Sequence, residues 1–241
     1  MQIFVKGDCH GDLNFLISFC KNANTSKEDV IVLLGDIGLN CNEDLREHCN
    51  FKKLAEIPIT LICINGNHEK RPQDTIDCIT QEKAYTYEWI EKFQCYGYVN
   101  KIASNIIFPV DGIFKIDKFS CLGIGGAYSI DKEYRLLVGW KWFETEQLSK
   151  EEQEDILMAI DNISNQFDFV FSHTAPFSWL SQLQYLFLKI PDLKEDYTME
   201  HFLEKVKNKI NYKQWFFGHF HDDKQLKHNA YLLYNKIIKI N

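Results

Sequence analysis

Apolar positions follow two alternating patterns over the first seventy residues. Residues 2–7 (QIFVKG), 29–35 (DVIVLLG) and 59–65 are short, nearly continuous apolar runs, as in strands covered on both faces. Between them, residues 13–22 place Leu13, Leu16, Ile17 and Cys20 at helical spacing, and 43–55 reads as a second helix that Pro58 ends. Strand, helix, strand, helix, strand predicts a parallel sheet built from βαβ crossovers. Further on, residues 105–110, 112–117 and 119–124 are β-prone runs split by turns at Asp111-Gly112 and Lys118, which predicts a meander. The GIGGA segment (123–127) reads first as a close-packed turn and second as a phosphate cradle. A charged amphipathic helix is predicted over 144–160, with Ser149 and Glu152 spaced as a capping box. Strand character returns at 167–172 and 214–218. Helical stretches are predicted at 177–188 and 198–210, and residues 231–240 close the chain. With no repeat and no Pro-, Gly- or Ser-rich linker, one domain over 1–241 is expected.

Composition narrows this picture. The 241 residues are 45% hydrophobic, enough for a sizeable core and too many for wholesale disorder. The net charge of -7 argues against a surface that grips nucleic acid throughout. It leaves room for a local basic groove, and bound divalent cations would offset several negative charges at one spot. None of the eight cysteines forms a CxxC pair, so free, buried thiols in a reducing compartment are expected. No apolar run approaches the roughly 20 residues of a membrane span, and no leader pattern precedes residue 2. The expected setting is cytoplasmic, away from membranes.

The chemistry sits in five short clusters, each at the carboxyl end of a predicted strand: Asp8-Cys9-His10, Gly35-Asp36, Gly66-Asn67-His68-Glu69, Ser172-His173 and Gly218-His219-Phe220-His221. Ligands bind open α/β sheets at that end of the strands, so the five can converge on one crevice. Carboxylate, imidazole and amide oxygen together suit borderline divalent ions such as Mn, Fe and Zn. The spacing of two in DxH and HxH is expected to point both side chains of each pair the same way. Cys9 and Phe220 would then turn into packing. Asp12 is expected to cap the first helix. Trp140, Trp142 and Phe143 read first as core and second as a platform for stacking a base.

At these residues the chain resembles the calcineurin-like metallophosphoesterase superfamily, which includes protein phosphatases, cyclic-nucleotide phosphodiesterases, nucleases and RNA lariat debranching enzymes. The motifs are GDCHG (7–11), GDIG (35–38), GNHE (66–69), SH (172–173) and GHFH (218–221). The resemblance implies an α/β fold, a two-sheet β-sandwich flanked by helices, with two divalent metal ions at one edge and manganese favoured. It implies that Asp8, His10, Asp36 and His221 hold one ion and that Asp36, Asn67, His173 and His219 hold the other. Asp36 would bridge. His68 would protonate or steady the leaving oxygen, and Glu69 would support the site from behind or at a helix N-terminus. The phosphatase form of the second motif, with its extra Asp and Arg, is absent from GDIGLNCN. A likeness to the debranching enzymes around GIGGAYSIDKEYRL marks Tyr128, Lys132 and Arg135 as substrate contacts.

The leading expectation is hydrolysis of a phosphomonoester or phosphodiester. A nuclease or nucleotide phosphodiesterase acting on RNA or a cyclic nucleotide is the nearest alternative. A non-catalytic metal-binding scaffold is a third; such relatives lose ligands or the leaving-group histidine, and here none is lost.

Overall fold

The computed structural model describes residues 1–183 and 196–241. Strand and helix alternate through β1 (Ile3–Lys6), α1 (Asn14–Ala23), β2 (Val30–Leu33), α2 (Leu45–Ala55) and β3 (Thr60–Cys63). A hairpin of β4 (Tyr85–Ile90) and β5 (Cys95–Asn100) follows, then β6 (Ile106–Pro109) and a second hairpin, β7 (Gly112–Ile116) with β8 (Phe119–Ile124). Next come α3 (Lys132–Leu137), α4 (Lys150–Asn162), β9 (Gln166–Ser172), α5 (Thr198–Lys209) and β10 (Asn211–Phe217). Three short strands, β11 (Lys224–Leu226), β12 (Ala230–Leu232) and β13 (Ile237–Lys239), come last.

The strands make two mixed sheets. One runs β13-β1-β2-β3-β6-β5-β4, with β1, β2, β3 and β6 parallel; the other runs β11-β12-β10-β9-β8-β7, with β12, β10, β9 and β8 parallel. The period of two along each strand explains the continuous apolar runs. Ile3, Val5, Val30, Val32 and Ile62 face the second sheet and meet Phe114, Phe171 and Phe216. Phe4, Ile31, Leu33 and Leu61 face outward, onto Leu16 and Cys20 of α1 and Phe51 and Leu54 of α2. On the far side, Ile156 and Ile160 of α4 and Phe202, Leu203 and Val206 of α5 cover Val170, Trp215 and Phe217. The result is a helix–sheet–sheet–helix stack, the two-sheet α/β sandwich expected. Each fully buried Val, Ile or Leu contributes about 1.5–3 kcal/mol through removal from water.

Several expectations are corrected. The three middle strands are not one meander: β6 lies beside β3 in the first sheet, whereas β7 and β8 belong to the second. The chain crosses between sheets at Asp111, whose carboxylate accepts from Arg71 Nη1 at 2.9 Å and from the Gly125 amide. The helix expected over 144–160 starts only at Lys150; Ser149 and Glu152 form its capping box, and Glu144–Glu146 is a separate 3₁₀ turn. Asp12 caps nothing. Leu13 occupies the N-cap of α1 without a side-chain bond, and the Asp12 amide is spent on Cys9 O in the preceding turn. Of the helix expected over 177–188, Phe177–Gln182 is a 3₁₀ turn and positions 184–188 lie outside the described residues. GIGGA is a packed turn: a Cβ on Gly125 would meet the Asn65 backbone at 2.8 Å. All eight cysteines are free, but Cys49 is exposed and Cys41 and Cys78 are half-buried. Among the described residues, no helix is long and apolar enough to cross a membrane.

Candidate metal centre

Parallel strands β1, β2 and β3 in one sheet and β9 and β10 in the other deliver the five clusters to one edge of the sandwich. The loops after β1 and β10 bring together Asp8, His10 and His221; those after β2, β9 and β10 bring together Asp36, His173 and His219. HxH therefore does not aim both imidazoles at one point. His219 and His221 lie beyond the end of β10 with φ of 69° and 51° and divide between the two groups. His10 (φ 44°) and Asp36 (φ 47°) also adopt the left-handed region. Turns, not strand alternation, place these side chains. Such conformations cost of order 1–3 kcal/mol each and cluster at functional sites.

Four of the seven ligand residues, Asp8, Asp36, Asn67 and His219, follow a glycine, and the glycine has a steric reason. A Cβ on Gly66 would strike the Asp36 carboxylate, and one on Gly218 would strike that of Asp8. The backbone also locks each carboxylate. Asp8 Oδ1 accepts from the His219 amide at 2.9 Å, and Asp36 Oδ1 from the His68 amide at 2.9 Å. Asp36 O accepts from the amides of Cys9 and His10 at 2.9 and 2.8 Å, tying the first motif to the second. Glu69, fully buried, accepts from the amides of Ile37, Gly38 and Gly66, so it pins the second and third motif loops together. No α-helix starts at Glu69, which leaves the supporting position and removes the helix-terminal one.

His173 Nδ1 lies 2.7 Å from Leu34 O and donates to it, which turns Nε2 toward the site. That nitrogen stands 2.8 Å from Asn67 Oδ1 and 3.6 Å from Asp36 Oδ1. The Asn67 amide is turned this way because its Nδ2 donates to Ser129 Oγ at 2.9 Å, and Ser129 Oγ donates in turn to Glu146. In the other group, His10 Nε2 and His221 Nε2 approach to 2.8 Å, and Asp8 Oδ2 is buried with no hydrogen-bond partner, 3.1 Å from His221 Nε2. Cations would give the orphaned Asp8 oxygen and the convergent ring nitrogens partners, and the donor types suit borderline divalent ions. Both groups therefore fit metal binding.

Charge follows the same division. Burial opposes ionisation of Asp8, yet the imidazoles of His10 and His221 beside it hold its carboxyl well below the usual range. Burial raises Asp36, against the pull of His173. Burial and then His173 depress His219 to about 4, keeping the imidazole neutral as ligation requires. Asp8 raises His10.

Beside the two groups opens a cleft of about 580 Å³. His10, Asp36 and His68 line one part of it; Arg46, Arg135, Lys141, Trp140 and Phe143 line another, together with the acids Asp44 and Glu47. The His68 imidazole is 26% exposed, with Nε2 3.6 Å from Asp36 Oδ2. Arg135 reaches the cleft while donating through Nε and Nη2 to Lys141 O at 3.0 and 2.7 Å. Tyr128 is not among the lining residues; its neighbour Ser129 is the one that turns to the site. Lys132 lies over the Trp142 ring at 3.6 Å, and Trp142 Nε1 donates to Glu146, so that indole is structural. Trp140 is 58% exposed, which overturns the reading of it as core. Ser129, Glu146, Arg46 and Lys141 escape sequence reasoning because no spacing rule marks them.

The calcineurin-like phosphoesterase family model matches residues 1–223. The chain belongs to that family, whose members are metal-dependent phosphoester hydrolases. No curated protein sequence matches it.

Proposed function

We propose that the chain hydrolyses a phosphate ester with two divalent ions, manganese first among them. Asp8, His10, Asp36 and His221 would hold one, and Asp36, Asn67, His173 and His219 the other. Two such ions would supply an activated water and neutralise phosphoryl charge. The observation that carries this reading is the convergence of two imidazole–carboxylate groups, Asp8 with His10 and His221 and Asp36 with His173 and His219, beside the Asn67 amide oxygen. Asp36 belongs to one group and hydrogen-bonds through its carbonyl to the loop of the other, which suits a bridging carboxylate. His68 stands at the cleft wall, where it can give a proton to a departing oxygen. The chain acts as one catalytic unit in this reading, in a reducing, cytoplasmic setting that suits its free cysteines. The test is turnover of p-nitrophenyl phosphate and bis-p-nitrophenyl phosphate by protein reconstituted with Mn. Absence of both activities in protein shown to hold two ions would reject the hydrolase and leave the scaffold.

A second reading narrows the substrate to a nucleotide or nucleic acid. It is favoured by Arg46, Arg135 and Lys141, which outnumber the acids Asp44 and Glu47 in that wall and share the cleft with exposed Trp140, since cations and a stacking ring together suit a phosphodiester bearing a base. Faster turnover of a short RNA or a cyclic nucleotide than of p-nitrophenyl phosphate would support it.

A further inference from the structure

A second groove, of about 520 Å³, shares no lining residue with the cleft beside His68. One wall is the β4–β5 hairpin. Register places Tyr87 opposite Tyr98 and Trp89 opposite Tyr96, so the four rings share one face. They contact one another at centroid distances of 5.1–5.4 Å: Tyr87 with Tyr96 and Tyr98, and Trp89 with Tyr96. Three of them remain open to solvent, Tyr87 at 55%, Trp89 at 46% and Tyr96 at 52%. The other wall is α4 and its C-cap, with Ile156 and Ala159 on the helix and the 70% exposed Ile163 just beyond it. Contiguous exposed apolar surface of this kind marks interaction sites, and Trp and Tyr dominate the binding energy of such sites.

Charge selects the occupant. Among the described residues lining the groove, the acids Glu152 and Asp155 stand on the α4 wall, and the cation is Arg71. Arg71 is buried and pairs with Asp111 Oδ2 at 2.9 Å and Thr145 O at 3.0 Å, and its remaining Nη2, though without a partner, is closed off from solvent. The groove thus presents carboxylates and π faces, both of which attract a cation and neither an anion. The hairpin also ends its sheet, with β4 as the terminal strand, so an extended chain can lie along it.

We propose that this groove is a docking site for an extended segment of another protein in which lysine or arginine alternates with apolar side chains. The aromatic wall takes the apolar groups and the basic stems, and Glu152 and Asp155 meet the charges.

The test is panning of a phage-displayed random decapeptide library on the Mn-reconstituted full chain, counter-selected against the Trp89→Ala/Tyr96→Ala variant. Unchanged melting and unchanged p-nitrophenyl phosphate turnover verify each variant, because these side chains are exposed and lie outside the catalytic cleft. The expected result is enrichment of sequences that combine basic and apolar residues. A synthetic peptide of the most enriched sequence should bind at least tenfold more weakly to Trp89→Ala and to Asp155→Lys. No enrichment over the variant, or enrichment of acidic or uncharged sequences, overturns the proposal. So does equal binding to Asp155→Lys, or displacement of the peptide by maltoheptaose, which would make the platform a sugar site.

Discussion

His68 meets Asp36 twice: its amide donates to Oδ1 at 2.9 Å, and its imidazole Nε2 stands 3.6 Å from Oδ2. The first contact belongs to the backbone and survives substitution of the side chain by alanine. His68→Ala therefore removes only the imidazole. We expect it to keep both metals and to lower turnover by roughly 10²–10⁴-fold, the range of a general acid. The loss should be greater for an alkyl phosphate than for p-nitrophenyl phosphate, whose leaving group departs without a proton. Equal losses across leaving groups would remove the general-acid role.

Asp36→Asn should be the most damaging ligand change. The same residue faces His173 at 3.6 Å and ties the loop of Cys9 and His10 through its carbonyl, yet only the carboxylate is altered. Both ions should be lost together when metal content is measured after dialysis, with activity falling in parallel. Retention of one ion at full occupancy would show that Asp36 serves a single site.

The orientation of Asn67 depends on a chain of bonds behind it. Ser129 Oγ can accept from Asn67 Nδ2 because its own proton goes to Glu146, which also accepts from Ser129 N and Trp142 Nε1. Glu146→Gln replaces one acceptor oxygen by a donor and must break one of these bonds. The expected outcome in calorimetric titration with Mn is a 10–100-fold loss of affinity at one of two sites, the usual effect of altering such a supporting partner. Adding Asn67→Asp should restore affinity, since a carboxylate presents oxygen in either orientation. Unchanged affinity in Glu146→Gln would sever this chain from the metal site.

The buried strands and the five clusters were legible because each obeys a short-range rule: β-branched runs for strands covered on both faces, and polar motifs at strand ends. What escaped was set by tertiary contact. Tyr85–Ile90 (YTYEWI) alternates aromatic and polar residues as a half-buried strand would, yet Tyr87 and Trp89 stay exposed, which the alternation does not show. The Glu144–Glu146 turn breaks an otherwise helical run because Glu146 is drawn in by Ser129, seventeen residues away in sequence. The division of His219 from His221 rests on two left-handed residues for which HxH carries no signal.

The last prediction concerns stability in chelator, where the metals play no part. Glu200 on α5 is buried; its Oε1 accepts from Thr174 Oγ1 at 2.7 Å and its Oε2 has no hydrogen-bond partner. Burial raises its carboxyl from 4.5 to about 7, more than the Thr174 bond lowers it. A carboxyl raised on folding binds its proton more tightly in the folded state. Its contribution is therefore complete below the unfolded value and is lost as pH rises through about 7. Glu200→Gln keeps the shape without the titration. In urea unfolding at pH 5 and pH 8 with EDTA, the variant should gain on the wild type by about 2 kcal/mol between the two conditions, a shift of this size being worth about 1.4 kcal/mol per pH unit. A difference that stays constant with pH would mean that Glu200 ionises normally in the fold, and that the uncapped Oε2 is reached by water.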